Sequence, residues 1–241
     1  MTLSPAPEQD VGDLPAGVAE DLAAASLVLA RRLHAGGTLW CAAPSWPHHA
    51  QHVAVEFVHP VIVGKPALPA VALPPHELVA TARANVRPDD VLLVIATAQD
   101  ATARELVRRA SVWGATTLWI GAGERPAAGA ADHVLWLPDE QVAPHDGRFI
   151  LLYHLLWELA HVCLEDGGSL APPPDCEGPV CITCSDEGRL GEVVSVAGST
   201  ARVRTAGGVE DVDLSLVGAV ERSDLLVVHA GTAITRLADP L

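Results

Sequence analysis

The residues of this chain best suited to chemistry fall in two groups. Three of its five cysteines crowd together as Cys176-x4-Cys181-Ile-Thr-Cys184, and one histidine, His229, follows them. Thiolates and imidazoles are ligands for soft and borderline metals, so Cys181, Cys184 and His229 could form a three-ligand site for iron, zinc or copper(I). A lone Cys-x-x-Cys, without a second pair or two close histidines, falls short of a structural zinc motif. The plainer alternative is a set of reduced thiols beside a half-buried histidine. The second group lies earlier. His52 and Glu56 are four residues apart, which places both on one face of a helix. His154, Glu158 and His161, at i, i+4 and i+7, share a face in the same way. His52, Glu56, Glu158 and His154 could together bind zinc or another divalent ion. The alternative there is a group of polar residues lining an interface or an empty pocket.

The elements that must position these groups follow from the apolar periodicity. Leu22, Ala25, Leu29 and Leu33 recur at helical spacing over residues 18–34, and Gly36-Gly37 stops the helix. Residues 38–43 form a short buried-strand pattern, and residues 46–58 can be helical after Pro47. A second apolar run spans 67–73, and a helical pattern covers 76–85. Asp90-Val-Leu-Leu-Val-Ile-Ala96 is continuously apolar after its first residue, the mark of a strand covered on both faces. A helix over 101–113, strands over 116–121 and 131–137, and a long apolar helix over 148–165 complete the series. Strands alternating with helices of this length predict βαβ units and a parallel sheet flanked by helices.

Past Glu165 the pattern changes. Residues 166–179 are rich in Gly and Pro and read as a linker. Beyond it the period is two: strands are expected at 189–196, 200–205, 209–214 and 225–229, with hairpin signals at Gly198-Ser199 and Gly207-Gly208. Short strands of this kind predict a small all-β, OB-like barrel. The chain therefore divides into an α/β domain (1–165), a linker (166–179) and a β-barrel domain (180–241).

Composition narrows the function. Lys plus Arg total 15 against 30 Asp plus Glu in 241 residues, a formal net charge of −15. That balance argues against a nucleic-acid partner, which needs a clustered basic surface, and against docking on an anionic membrane. The N-terminal 13 residues lack the basic and apolar regions of a signal peptide. No apolar run approaches the roughly 18–20 residues of a membrane span, and a cytoplasmic location is expected. There an odd cysteine count favours thiol or metal chemistry over disulfides. Cys41 and Cys163 fall in apolar elements and read as core thiols.

From Cys181 onward the chain resembles the HypC/HupF/HybG hydrogenase maturation chaperones. Cys181-Ile-Thr stands where that family opens with Cys-Ile/Leu-Gly. Gly208-Val-Glu-Asp-Val-Asp-Leu-Ser-Leu-Val217 and Leu226-Val-Val-His-Ala-Gly-Thr-Ala-Ile234 match its two later motifs in order and spacing. The resemblance implies that Cys181 is an iron-binding thiolate and His229 a second contact. It also implies a cargo, the Fe(CN)2(CO) unit, received on a HypD-like scaffold protein and passed to the large-subunit precursor of [NiFe]-hydrogenase. Two departures stand out. The family's cysteine becomes the N-terminus, whereas Cys181 is internal, and Thr183-Cys184-Ser185 replaces the family's Gly-x-Pro. Cys184 could add a ligand or a resolving thiol, and Cys176 could join as well.

Residues 16–165 resemble the SIS domain of phosphoheptose isomerases and DiaA-like proteins. Cys41-Ala-Ala-Pro-Ser-Trp-Pro-His-His-Ala-Gln-His-Val-Ala-Val-Glu56 lies without a gap on the family's first loop and helix, and Asp89 to Ala101 on its second strand and loop. The resemblance implies a homodimer and a metal held by His52, Glu56 and a ligand near Glu158. The phosphate loops depart from the family. Ala42, Ala43, Pro44 and Trp46 replace Gly, Asn, Gly and Ser in the first. In the second, only Thr97 keeps a hydroxyl, and Asp100 adds negative charge. Thr97 and Asp100 remain the residues placed to touch a bound ligand, but sugar-phosphate binding is expected to be lost or weak. The expectation is a maturation factor whose SIS domain pairs two chains and whose barrels hang from the linkers. The alternative is a metal-dependent sugar-phosphate isomerase with the barrel as docking module.

Overall fold

Alternation within one short strand organises the α/β part. In a computed structural model describing residues 17–138, 147–170 and 188–237, the run after Asp90 is a strand, Val91–Ile95, buried throughout. Val91, Leu93 and Ile95 face one core, and Leu92 and Val94 face another. Successive strand side chains point to opposite faces, so a wholly apolar strand requires cover on both.

That strand is β3 of a five-stranded sheet. The others are β1 (Leu39–Ala42), β2 (Ala70–Ala72), β4 (Thr116–Ala122) and β5 (His133–Leu137). All pair in parallel, in the order β2-β1-β3-β4-β5. Helices α1 (Val18–His34), α2 (Pro47–Val58) and α5 (Gly147–Glu165) cover one face; α3 (Leu78–Asn85) and α4 (Ala101–Val112) cover the other. The parallel sheet flanked by helices is thus present. The chain order reverses direction at β1, between β2 and β3. In open α/β sheets the crevice at such a switch point, beyond the carboxyl ends of the strands, is where ligands bind.

Asp90 ties the start of this crevice's two strands. One carboxylate oxygen accepts the Thr38 N–H (2.8 Å); the other accepts the Trp40 indole N–H (2.9 Å) and the Arg87 N–H (2.7 Å). Gly121 is required for a different reason. A Cβ there would overlap the Trp136 ring and the Ala96 carbonyl, so β4 can approach its neighbours only without a side chain at that position.

Helix α5 is 19 residues long and apolar enough to cross a membrane by length and composition, although the sequence reading finds no such run. In the fold it is a core helix: Phe149, Leu152, Tyr153, Leu156, Trp157 and Ala160 are buried against α1, α2 and the sheet. A 3-10 turn (Gly167–Leu170) follows, at the head of the expected linker.

The C-terminal part is a closed five-stranded barrel of β6 (Arg189–Ala197), β7 (Thr200–Thr205), β8 (Gly208–Asp213), β9 (Leu225–His229) and β10 (Thr232–Leu237). Its core is small, built from Val193, Val203, Val212, Leu226 and Val228 among others. The barrel does not merely hang from the linker. It sits on α3 and α4, and Leu190, Leu225 and Leu237 join the core beneath those helices. At the centre of the contact is Glu192, only 3% exposed. Its carboxylate accepts from Arg83 (2.7 Å), from the Trp113 indole N–H (2.8 Å) and from Arg109. Arg109 also donates to the Ser223 carbonyl (2.8 Å), and Arg204 lies over the Trp113 ring while donating to the Val86 carbonyl (3.2 Å).

Candidate functional site

The i,i+4 pair on α2 and the apolar helix α5 meet at one point. His52 Nε2 lies 3.3 Å from Glu56 Oε1, and His154 Nε2 lies 3.3 Å from His52 Nε2 and 3.7 Å from the same Glu56 oxygen. The three ligand atoms are within 4.8 Å of one another, and all three residues are half-buried. Two imidazoles and a carboxylate at this separation match the donor set of a three-ligand divalent site that keeps an open position. Glu158, a turn further along α5, is also half-buried but is not part of this group.

Tyr153, the only tyrosine in the chain, holds the group in place. Its hydroxyl is 2.9 Å from His52 Nδ1 and 3.4 Å from His49 Nδ1. For His52 to offer the Nε2 lone pair to a metal, its Nδ1 must carry the proton and donate to the tyrosine oxygen. The tyrosine then donates onward to His49, which is buried beside Phe149. Burial, followed by the negative charge of Glu56, pushes the Tyr153 pKa up to about 12, so the hydroxyl keeps its proton for this role. Sequence reasoning missed Tyr153. The available signal was a single polar-tipped aromatic next to His154 in an otherwise apolar helix. His161, on the same helix, is instead engaged by the Trp157 and Pro66 carbonyls (3.0 and 3.1 Å).

The switch-point crevice is built differently from an anion site. Asp100 caps α4, accepting the Ala103 N–H at 3.0 Å through one oxygen. Its other oxygen accepts from the Ser45 hydroxyl at 2.8 Å. A carboxylate therefore already occupies the helix terminus where a phosphate would be held, and Ser45–Asp100 ties the loop after β1 to the loop after β3. Thr97 is half-buried and supplies a carbonyl to the Asp100 N–H (3.2 Å). Asp100→Ala is expected to lower stability by about 1 kcal/mol, the usual worth of such a cap. Urea denaturation checks this, and an unchanged midpoint would contradict it.

In the barrel, His229 ends β9 and is half-buried. It is followed by Ala230 and Gly231, both at positive φ, which turn the chain tightly back into β10. Arg189 pairs with Val228, so Gly188 arrives level with His229. Cys176, Cys181 and Cys184 lie outside the described residues. Four residues from Gly188 to Cys184 span at most about 14 Å, and seven to Cys181 about 25 Å. Chain length therefore permits both thiols to reach the His229 end of the barrel. Of the core thiols, Cys41 is fully buried, with its pKa pushed far up by burial, and Cys163 is half-buried.

Comparison with known proteins gives a fold for one part and a family-model match for the other. The α/β part has the fold of SIS-type sugar-phosphate isomerases. It is similar to a phosphoheptose isomerase from Francisella tularensis (TM-score 0.55, 21% identity, covering 61% of this chain and 88% of that one). It is likewise similar to phosphoheptose isomerase GmhA from Neisseria gonorrhoeae (TM-score 0.50, 21% identity, covering 62% and 88%). At these identities the likeness is one of fold. The barrel is more specific: residues 190–240 match the model of the HupF/HypC family. The chain thus joins a part with the fold of phosphoheptose isomerases to a barrel whose residues 190–240 match the HupF/HypC family model. The matched residues contain His229 and begin after Cys184. No curated protein matches the chain.

Proposed function

We propose that this chain is an accessory factor in [NiFe]-hydrogenase maturation. Its barrel receives the Fe(CN)2(CO) unit on Cys181 and His229 and passes it from a HypD-like scaffold to the hydrogenase large-subunit precursor. The HupF/HypC match over residues 190–240 is the observation that carries the reading. The chemistry supports it: a thiolate is a strong ligand for low-spin iron, and Gly188, four residues after Cys184 in sequence, lies level with His229. The cargo is substrate, bound and released.

The SIS-type domain acts as the pairing and metal-holding module. His52, Glu56 and His154 hold zinc or a similar divalent ion, with Tyr153 orienting His52. Two copies pair through the apolar surface at this end of the domain. There Val55, Val61, Val63 and Val162 are exposed, and the loop carrying Val61 and Val63 is pinned to α5 by Lys65–Glu165 (2.8 Å). Isomerisation of a sugar phosphate is the weaker reading, because Asp100 holds the anion position and Pro44 has no N–H to offer. Anaerobic co-purification with a HypD-like scaffold tests the main proposal. The wild-type chain is expected to retain scaffold and iron together, and Cys181→Ala to lose the iron. Equal iron in both would overturn it.

A further inference from the structure

A cavity of about 410 Å³ opens between α4, the buried Trp119 of β4, the β4–β5 loop at Pro126–Ala130, and Leu190 at the start of the barrel. It shares no residue with the His52 cluster or the His229 end. Its wall is mostly apolar, and two guanidiniums, Arg104 and Arg108, stand on it one helical turn apart. They differ in their surroundings. Arg108 pairs with Glu105 at 2.6 Å. Arg104 donates only to the Ala98 carbonyl (3.1 Å); the Nε atoms of both arginines are buried without a hydrogen-bond partner. Among the described residues Arg104 has no carboxylate partner, in a chain where acids outnumber bases two to one. A buried, unsatisfied N–H on a permanent charge is costly. Such a group in a native structure needs an explanation, and an ion or ligand that satisfies it is one.

We propose that this cavity is a binding site for a small planar apolar acid, an aromatic ring bearing one phosphate or carboxylate head. The volume is that of a small-molecule site. The Arg104 guanidinium on the wall, which has no carboxylate partner among the described residues, supplies the charge-assisted donor for an oxyanion. The flat wall of Trp119, Pro126 and Ala130 takes the ring. Because Leu190 closes one side, the ligand bridges the SIS-type domain and the strand into which the cysteine segment leads. The site is independent of the iron-carrier reading.

The test is calorimetric titration of the full chain with phenyl phosphate, benzoate and inorganic phosphate at up to millimolar concentration. Phenyl phosphate or benzoate is expected to bind once per chain. Arg104→Gln is expected to weaken binding by about tenfold or more, the loss of one charge-assisted pair. Ala127→Trp, on an exposed stretch of the cavity's rim, is expected to abolish binding with the thermal midpoint unchanged. Three results overturn the proposal: no binding of either aromatic acid, equal binding to both variants, or inorganic phosphate binding as tightly as phenyl phosphate.

Discussion

Replacing Glu192 by Ala is expected to destabilise the protein by about 3 kcal/mol, the lower end of the range for breaking a buried ion pair. Glu192 is the acceptor on which Arg83, Arg109 and the Trp113 indole converge, and both it and Arg109 are nearly inaccessible to water. Removing it leaves the Trp113 N–H orphaned and Arg109 short of a charge partner. The residual Glu105–Arg109 pair and the Ser223 carbonyl soften the loss without restoring the contact between domains. Exposed pairs elsewhere, such as Arg32–Asp89, are worth at most about 1 kcal/mol each, so none substitutes for it. The barrel's own core is small, and its stability depends on the α3–α4 surface beneath it. Urea unfolding followed by circular dichroism, with limited proteolysis between residues 166 and 188, checks this. Glu192→Ala should unfold earlier and be cut faster. A midpoint within error of wild type would show that the domains do not rely on this contact.

The second large effect concerns the His52–Glu56–His154 group. In a Cys181→Ser/Cys184→Ser background, so that barrel thiols do not compete, the chain is expected to bind one zinc ion. His154→Ala removes one of three donors and should weaken binding more than any other single change tested. Tyr153→Phe should weaken it by about 10–100-fold, the usual cost of losing the partner that fixes a ligand histidine's tautomer. Glu158→Gln should leave it unchanged, because Glu158 stands outside the group. Acidification should weaken binding in every variant, since the imidazoles must be neutral to coordinate. Competition against a chromophoric chelator measures all four proteins. A Tyr153→Phe affinity equal to wild type would contradict the role assigned to the hydroxyl, and an unaffected His154→Ala would contradict the site.

Much of this was legible in the residues. The unbroken apolar run of β3 could only be a strand covered on both faces, and the switch to period two past residue 188 announced the barrel. His52 and Glu56 were legible because a single helix dictates their spacing. The missed parts are those that depend on which surfaces meet. Which residue of α5 faces His52 is decided by how α5 crosses α2, so both His154 and Glu158 fitted the pattern while only His154 arrives. Tyr153 was unremarked because, in an apolar helix, a tyrosine is indistinguishable from other core aromatics until its hydroxyl finds a partner. Glu192 lay in an alternating strand where an acidic residue reads as solvent-facing. Only the docking of the barrel on α4 turns that face inward. Asp100 was read as repulsive charge near a phosphate loop. Its actual work is the cap of α4 and the Ser45 tie, which leads to the same expectation through a different contact.

The central claim is that Cys181 and His229 together carry an iron unit. Its most direct test is infrared spectroscopy of the anaerobically purified chain, with its scaffold partner, in the cyanide and carbonyl stretching region. Bands for both ligands are expected in the wild-type protein, absent in Cys181→Ala and shifted or lost in His229→Ala. Identical bands in wild type and Cys181→Ala would contradict the account.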